Sequence, residues 1–195
     1  MVKVHIAIEG FDGSGKTTLA KDIANTLEFQ YIEKPLSHIL GKEDYKKVAK
    51  YINSTQDEII RALFYSCGNF FAINNFEKIV TDRHILSNFF YNYSDKNSEI
   101  YEYLNKNLRK PDLTILLYCK NEIRKKRIIE RNPDDKDILR VDLFDETDFK
   151  RMENFLKKNQ YNYTVIDNSN LNRNETLKLS LEIIKNKTKI LFDIK

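Results

Sequence analysis

A glycine-rich segment near the amino terminus carries the strongest chemical pattern in this 195-residue chain. Gly10 to Thr17 reads GFDGSGKT and fits GxxxxGK[ST], and three of the five glycines in the chain belong to it. Glycines let a backbone turn tightly and point its N–H groups inward, so the loop and the start of the next helix can bind phosphate oxygens. The pattern predicts a phosphate-binding loop (P-loop) for a nucleoside triphosphate.

Two side chains at the end of this loop have predicted roles of their own. Lys16 is expected to bridge the β- and γ-phosphates, and the Thr17 hydroxyl is expected to ligate Mg²⁺. The residues predicted to bind the nucleotide are Gly10, Asp12, Gly13, Ser14, Gly15, Lys16, Thr17 and Thr18.

An acidic and a basic residue directly follow a predicted strand at 78–81. Open α/β sheets bind ligands beyond the carboxyl ends of their strands, so Asp82 and Arg83 are candidate site residues. Asp82 could hold Mg²⁺ through water or order Lys16, and Arg83 could bind an acceptor phosphate through two hydrogen bonds. A local ion pair at a strand end is the alternative interpretation.

Three arginines share one face of a predicted helix that ends near residue 131. At 100° per residue, Arg124, Arg127 and Arg131 fall within an arc of about 60°. A polar break at 132–137 follows them. We expect a lid at about residues 124–142 that brings cations to a triphosphate and excludes water. A solvated charged face is the alternative.

The elements that must position these residues alternate between strand and helix patterns. Helical patterns include 16–27 and a long, largely buried helix at 59–76; Asn121, Asp145 and Asn174 are interpreted as marking the starts of three more. The predicted strands cover 2–8, 29–32, 78–81, 113–119 and 163–166. This alternation predicts an α/β fold with a parallel sheet covered by helices on both faces. The absence of repeats and linkers predicts one domain over 1–195.

Composition bounds the partners and the compartment. A net charge of +4 from 33 basic and 29 acidic residues describes a mixed surface, so we expect no nucleic-acid partner. No apolar run is long enough for a membrane span, so no membrane partner is expected. Cys67 and Cys119 are too few for a disulfide scaffold and are interpreted as small buried groups. A cytoplasmic location is expected.

Three blocks of the chain resemble thymidylate kinases in order and spacing. They read EGFDGSGKTT at 9–18, TDRHILS at 81–87 with Tyr91-Asn92 after it, and PDLTILL at 111–117. The resemblance extends from about residue 3 to the final helix. It implies a three-layer P-loop NTPase fold with five parallel strands, and transfer of the γ-phosphoryl group of Mg·ATP to dTMP or a related nucleotide.

The resemblance also implies roles for single residues. In that family the acidic residue of the P-loop, here Asp12, contacts the 3′-hydroxyl of the acceptor sugar, and the arginine after the third strand, here Arg83, faces the acceptor phosphate. Ser87 and Tyr91 match the family residues that follow and are expected to bind substrate.

The catalytic arginine and the oligomeric state are further expectations from the resemblance. The P-loop here carries no arginine, so the lid is expected to supply it, as in the bacterial-type members, and Arg127 and Arg131 are the favoured catalytic residues. Family members are commonly homodimers, so a second copy is a further expected partner.

Two departures from the family leave the acceptor open. Glu33 stands where the family has an acceptor-binding arginine, and it is similar to the glutamate that deoxynucleoside kinases use as general base for the 5′-hydroxyl. The helix with Phe64 resembles the base-reading helix of the family, but Cys67-Gly68-Asn69 replaces its arginine. Glu33 and Phe64 are candidate acceptor contacts. The alternatives are that Glu33 only pairs with Lys34 on the surface and that Phe64 only fills the core.

Three functions therefore remain. The first is a nucleotide kinase, the second is a deoxynucleoside kinase with Glu33 as base, and the third is an ATP-binding protein without transfer activity. A GTPase is a poor fit because the chain has no NKxD sequence and no DxxG after the third strand, where Asp82 is followed by Arg83.

Overall fold

The computed structural model describes residues 3–188. Five strands form one parallel sheet in the order β2-β3-β1-β4-β5. The strands are β1 (Val4–Gly10), β2 (Gln30–Ile32), β3 (Lys78–Asp82), β4 (Leu113–Tyr118) and β5 (Tyr163–Asp167). All five predicted strands are present with bounds within two residues, although Val2 of the first prediction lies outside the described residues. Because all strands run the same way, their carboxyl ends meet at one edge.

Helices connect the strands and cover the sheet. They are α1 (Lys16–Leu27), α2 (Ser37–Leu40), α3 (Lys42–Ser54), α4 (Glu58–Asn75), α5 (Ile85–Asn92), α6 (Ser98–Asn107), α7 (Asn121–Arg131), α8 (Glu146–Lys158) and α9 (Arg173–Lys187). Two 3-10 helices, Asp95–Asn97 and Lys136–Leu143, lie in the connections. The second of these and α7 together span the segment predicted as a lid.

Helix starts agree with the predicted caps in part. The Asp145 carboxylate accepts hydrogen bonds from the first turn of α8, as predicted. Asn121 is instead the first residue of α7, and Asn172 rather than Asn174 caps α9 by accepting from Glu175 N at 3.0 Å. Each difference is a shift of one or two residues.

Two apolar cores lie on the two faces of the sheet. On one face, Ile6 and Ile8 pack with α1 and α9. On the other, Leu116 packs with residues of α4, α5, α6 and α8. Side chains alternate between faces along a strand, so the pleat decides which polar residues reach which helix. Val80 belongs to the α1 core, which places Asp82 on the α1 side, whereas Glu9 lies on the α5 side.

Helix α4 buries only one of its faces. Ala62, Ser66 and Ala72 are buried, while Ile59, Ile60 and Leu63 are exposed. The prediction of a largely buried helix is therefore wrong for its outer face. The same geometry leaves Cys67 exposed, against expectation, whereas Cys119 is buried as predicted. Within residues 3–188, no helix combines the length and apolar character that a bilayer crossing requires.

Gly10→Ala tests the close approach of β1 to β4. A Cβ at Gly10 would lie 2.5 Å from the backbone oxygen of Leu117, and the Gly10 φ is +140°. We expect this substitution to lower the free energy of unfolding by more than Gly41→Ala does. Gly41 also has a positive φ, at +78°, but its Cβ would meet nothing within 4 Å. The control should therefore lose only the strain of about 1–3 kcal/mol.

Chemical denaturation of both variants measures this difference. Equal losses would contradict a steric role for the missing side chain at Gly10.

Candidate nucleotide-binding site

The P-loop wraps the space between β1 and α1 with its backbone. Gly13 has φ +80°, and a Cβ there would lie 2.7 Å from the backbone oxygen of Arg124. Its neighbours Asp12, Gly15, Lys16, Thr17 and Thr18 line a cavity of about 910 Å³. Gly10 and Ser14 do not line this cavity: Gly10 packs against Leu117, and the buried Ser14 accepts from Asn168 Nδ2 at 2.7 Å through its backbone oxygen. These two residues fix the backbone conformation of the loop.

Lys16 is held inside this loop. Its Nζ donates to the backbone oxygen of Phe11 at 2.7 Å and lies 3.8 Å from Oδ1 of Asp12. Burial, together with the positive charge of Arg83, lowers the pKa of Lys16 to about 8. Phosphate oxygens brought into the loop would favour the charged form of Lys16.

Thr17 and Asp82 form a polar pair at the mouth of the loop. The Thr17 hydroxyl donates to Oδ2 of Asp82, and the Tyr31 hydroxyl reaches the same oxygen at 3.4 Å. The other carboxylate oxygen, Oδ1, is buried and has no hydrogen-bond partner within residues 3–188. A hydroxyl and a carboxylate oxygen are hard ligands of the kind that Mg²⁺ takes alongside phosphate and water. The two side chains therefore fit a Mg²⁺ ion.

Asp12 and Arg83 form an ion pair between the P-loop and the end of β3. Arg83 Nη2 donates to Oδ1 of Asp12. Burial raises the pKa of Asp12, but the positive charges of Arg83 and Lys16, with Arg140, outweigh it and hold that pKa below its ordinary value. Asp12 is therefore an anion at neutral pH, enclosed by cations.

The Arg83 guanidinium is fixed from several sides. Its Nη1 donates to the Ser87 hydroxyl at 3.0 Å, and its centre lies 5.4 Å from the ring centroid of Tyr91. Its backbone adopts a positive φ of 74°, which is uncommon for a residue with a side chain. Its backbone N–H donates to Ile8 O at 3.0 Å, which ties this conformation to β1.

Glu9, for which no role was predicted, helps to hold Arg83 in place. It is fully buried, and its carboxylate accepts from the backbone N–H groups of His84 at 2.8 Å and Ser87 at 3.2 Å, as well as from the Ser87 hydroxyl. Burial raises the pKa of Glu9. Ser87 therefore links the Glu9 carboxylate to the Arg83 guanidinium, so Glu9 is a positioning residue.

Two cavities meet at this ion pair. The first, the P-loop cavity, is the one described above, and Lys16, Arg127 and Asn168 also line it. The second, the α4 cavity, has a volume of about 580 Å³. Both cavities are lined by Asp12, Glu33, Tyr45, Tyr65, Asp82 and Arg83. Two ligands placed in them would face each other across Asp12 and Arg83.

The α4 cavity collects all the residues predicted to contact an acceptor. Phe64, Ser87 and Tyr91 line it together with the shared residues Asp12, Glu33 and Arg83. The Ser87 hydroxyl already donates to Glu9 and accepts from Arg83, so it orients the arginine. Arg61 and Arg140, which no sequence pattern singled out, also line this cavity. Asn69 lines it too, and the sequence marks it only as part of the segment that replaces the family's arginine. The spacing of three residues between Arg61 and Phe64 is the signal that could have found Arg61.

The three arginines of α7 occupy different environments. Arg124 is only 1% exposed, and its Nε donates to the backbone oxygen of Asp12 at 2.8 Å while its guanidinium lies over Phe11. Arg124 therefore packs against the P-loop and is not available to a lid. The prediction that placed it with Arg127 and Arg131 in a lid is wrong for this residue. Arg127 donates to Asn168 O at 3.0 Å, and Arg131 pairs with Asp135. Both line the P-loop cavity, as predicted.

Comparisons with known proteins agree with this geometry. The family model described as thymidylate kinase matches residues 8–177. A probable thymidylate kinase 1 of Saccharolobus solfataricus is 30% identical over 191 residues, which cover 92% of this chain and 96% of that protein. A probable thymidylate kinase of Sulfolobus acidocaldarius is 36% identical over 63% of this chain and 68% of that protein.

Solved structures share the fold at low identity. The thymidylate kinase of Candida albicans superimposes with a TM-score of 0.64 at 18% identity, over 98% of this chain and 96% of that one. A deoxyadenosine kinase of M. mycoides gives a TM-score of 0.63 at 19% identity, over 94% of this chain and 99% of that one. Five parallel strands flanked by helices therefore form the P-loop NTPase fold of nucleotide kinases, as predicted. Because a family match that covers most of the chain coincides with this fold and with a phosphate loop facing a second cavity, the chain belongs to the thymidylate kinase family of nucleotide phosphotransferases.

Proposed function

We propose that this protein transfers the γ-phosphoryl group of Mg·ATP to a deoxynucleoside monophosphate, with dTMP as the first candidate. The observation that carries this proposal is the position of Arg83, fixed where the two cavities meet and paired with Asp12. A guanidinium offers two parallel donors that match a phosphate. The names of the two relatives, both probable thymidylate kinases, support dTMP as the acceptor.

On the donor side, the P-loop backbone and Lys16 hold the triphosphate. Thr17 and Asp82 would hold Mg²⁺, which when bound neutralises phosphate charge and orients the leaving group. Arg127 and Arg131 lie along the same cavity and add positive charge around the transferring group. The lid that we propose for residues 124–142 brings these arginines over the triphosphate.

On the acceptor side, Arg83 binds the phosphate and Asp12 contacts the sugar 3′-hydroxyl. A phosphate oxygen of the acceptor then attacks the γ-phosphorus of ATP. The bond from that phosphorus to the β,γ-bridging oxygen breaks, and ADP leaves with the bonding electrons. No covalent enzyme intermediate is needed, because catalysis consists of positioning and charge stabilisation.

A deoxynucleoside kinase is the second candidate, favoured by the position of Glu33. This carboxylate lines both cavities, where a general base for a 5′-hydroxyl would lie. It also pairs with Lys34 at 2.8 Å. ATP binding without any acceptor remains the third candidate.

A homodimer and a cytoplasmic location remain proposals from the sequence. Exposed apolar side chains on α4, at Ile59, Ile60 and Leu63, offer a surface for a second copy.

Transfer from Mg·ATP to dTMP and to thymidine separates the candidates. We expect formation of dTDP by the wild-type protein and none by Lys16→Met, which excludes contaminating kinases. Arg83→Lys should lower kcat/KM for dTMP at least 100-fold, because a phosphate would lose two charge-assisted bonds worth about 3 kcal/mol together. Arg109→Lys, which removes a guanidinium bound to Asp112 and Lys3, is the matched control.

Glu33→Gln tests whether the protein is a deoxynucleoside kinase. Only a nucleoside kinase should lose most of its rate in this variant. Transfer to thymidine alone, abolished by Glu33→Gln, would contradict the proposed function, and product from neither acceptor would favour an ATP-binding protein.

Lys16 should take up a proton when ATP binds above pH 8. Its pKa is about 8 in the free protein, and triphosphate oxygens raise it, so ATP affinity should fall as pH rises above 8. Calorimetry at pH 8.5 in two buffers of different ionisation enthalpy measures the uptake. Lys16→Arg is the control, because its guanidinium stays protonated throughout. Equal proton uptake in both proteins would assign the proton to another group.

Asp82→Asn should raise the Mg²⁺ concentration that half-maximal activity requires. The substitution keeps an oxygen beside Thr17 but removes the negative charge, so we expect a shift of roughly 10-fold or more. A Mg²⁺ titration at saturating ATP measures it. Asp22→Asn, on the rim of the same cavity but paired with Arg173, is the matched control. An unchanged requirement in Asp82→Asn would exclude Asp82 from the metal site.

A further inference from the structure

One wall of the α4 cavity is a single helix face. Arg61, Phe64, Tyr65, Gly68 and Asn69 all line it, and their spacing of i, i+3, i+4, i+7 and i+8 is that of one side of an α-helix. Phe64 presents an aromatic ring on this wall and packs beside Tyr45, with ring centroids 6.0 Å apart. A flat apolar group such as a nucleobase would pack against this ring.

Asn69 is the polar side chain of this wall that has no partner. It is only 7% exposed, and its Nδ2 is buried without a hydrogen bond to any residue in the range 3–188. An amide N–H group that is buried without a partner destabilises the protein. A ligand that pairs with this amide would remove that penalty.

The other three asparagines of the cavity are already hydrogen-bonded. Asn88 Nδ2 donates to Ala62 O and Ser66 Oγ, each at 3.1 Å. Asn92 Nδ2 donates to Asn88 Oδ1 at 3.0 Å, and Asn53 Oδ1 accepts from the Tyr65 hydroxyl at 2.8 Å. Asn69 is thus the asparagine of this cavity whose amide is left for a ligand.

The remaining unpartnered polar groups of the cavity belong to other elements. Asp82, His84 and Tyr91 carry buried atoms without partners, but they belong to the end of β3 and to α5, beside Arg83. The His84 ring also packs against His5 at 4.7 Å. These groups flank the arginine that we propose for the acceptor phosphate, which leaves Phe64 and Asn69 for the base.

We propose that Asn69 reads the edge of the acceptor base and admits pyrimidines with either a 4-oxo or a 4-amino group. This inference rests on the proposed function. An amide presents one donor and one acceptor, and rotation by 180° about its last bond exchanges them. Thymine offers O4 as acceptor beside the N3 donor, whereas cytosine offers an N4 donor beside the N3 acceptor. Asn69 can therefore pair with dTMP in one orientation and with dCMP in the other.

Steady-state kinetics of three variants with dTMP and dCMP test the proposal. Asn69→Leu should lower kcat/KM for both acceptors about 10- to 100-fold, chiefly through KM, because the base contact is lost. Asn69→Asp keeps acceptor oxygens only, which match the one donor of either base but repel the acceptor beside it, so it should raise KM for both dTMP and dCMP as well. Cys67→Ser, on the exposed face of the same helix, should change neither value.

The outcomes separate the two proposals. A wild-type protein that phosphorylates no monophosphate fails the proposed function itself. A wild-type protein that uses dTMP but discriminates against dCMP by more than 100-fold, or Asn69 variants with unchanged kinetics, would overturn only the role of Asn69. KM does not depend on the fraction of folded enzyme, so the KM values of Asn69→Asp and Asn69→Leu decide the matter even if one of them folds poorly.

Discussion

The ion pair between Asp12 and Arg83 is the interaction on which the site depends. It joins the P-loop to the end of β3, and it forms because β1 and β3 run side by side with Ile8 opposite Asp82. The loop after β1 and the residue after β3 therefore emerge at the same edge of the sheet. Glu9 and Ser87 hold the arginine from the α5 side. The same edge carries both cavities, so the pair lies between the two ligands.

The charges of this region explain why phosphate-bearing ligands suit it. Lys16, which is buried, and Arg83, which is partly exposed, both lie against the Asp12 carboxylate, and burial together with the charge of Arg83 lowers the pKa of Lys16. Asp12 and Asp82 offset part of this charge. Phosphate groups in the two cavities would offset more of it, because cations already held in place stabilise phosphate charge. Binding and catalysis then use the same residues.

Local patterns allowed much of this arrangement to be predicted. The P-loop, the five strands and the Asp82-Arg83 pair follow from glycine spacing, alternation and the parallel-sheet rule, which are short-range signals. Glu9 was missed because its partners His84 and Ser87 are distant in sequence. Asn69 was noted only as part of the segment in place of the family's arginine, because a sequence does not show that an amide has no partner. Arg124 shares a helix face with Arg127 and Arg131, yet it is buried beneath the P-loop. Helical spacing shows which face of a helix a side chain lies on, but it does not show what packs against that face.

A crystal structure of the protein with dTMP and a non-hydrolysable ATP analogue would show whether Arg83 binds the acceptor phosphate. We expect the dTMP phosphate within hydrogen-bonding distance of the Arg83 guanidinium, the triphosphate on the P-loop, and the base against Phe64. A phosphate bound elsewhere, or an acceptor whose 5′ end lies at Glu33 with Arg83 still paired only to Asp12, would contradict it.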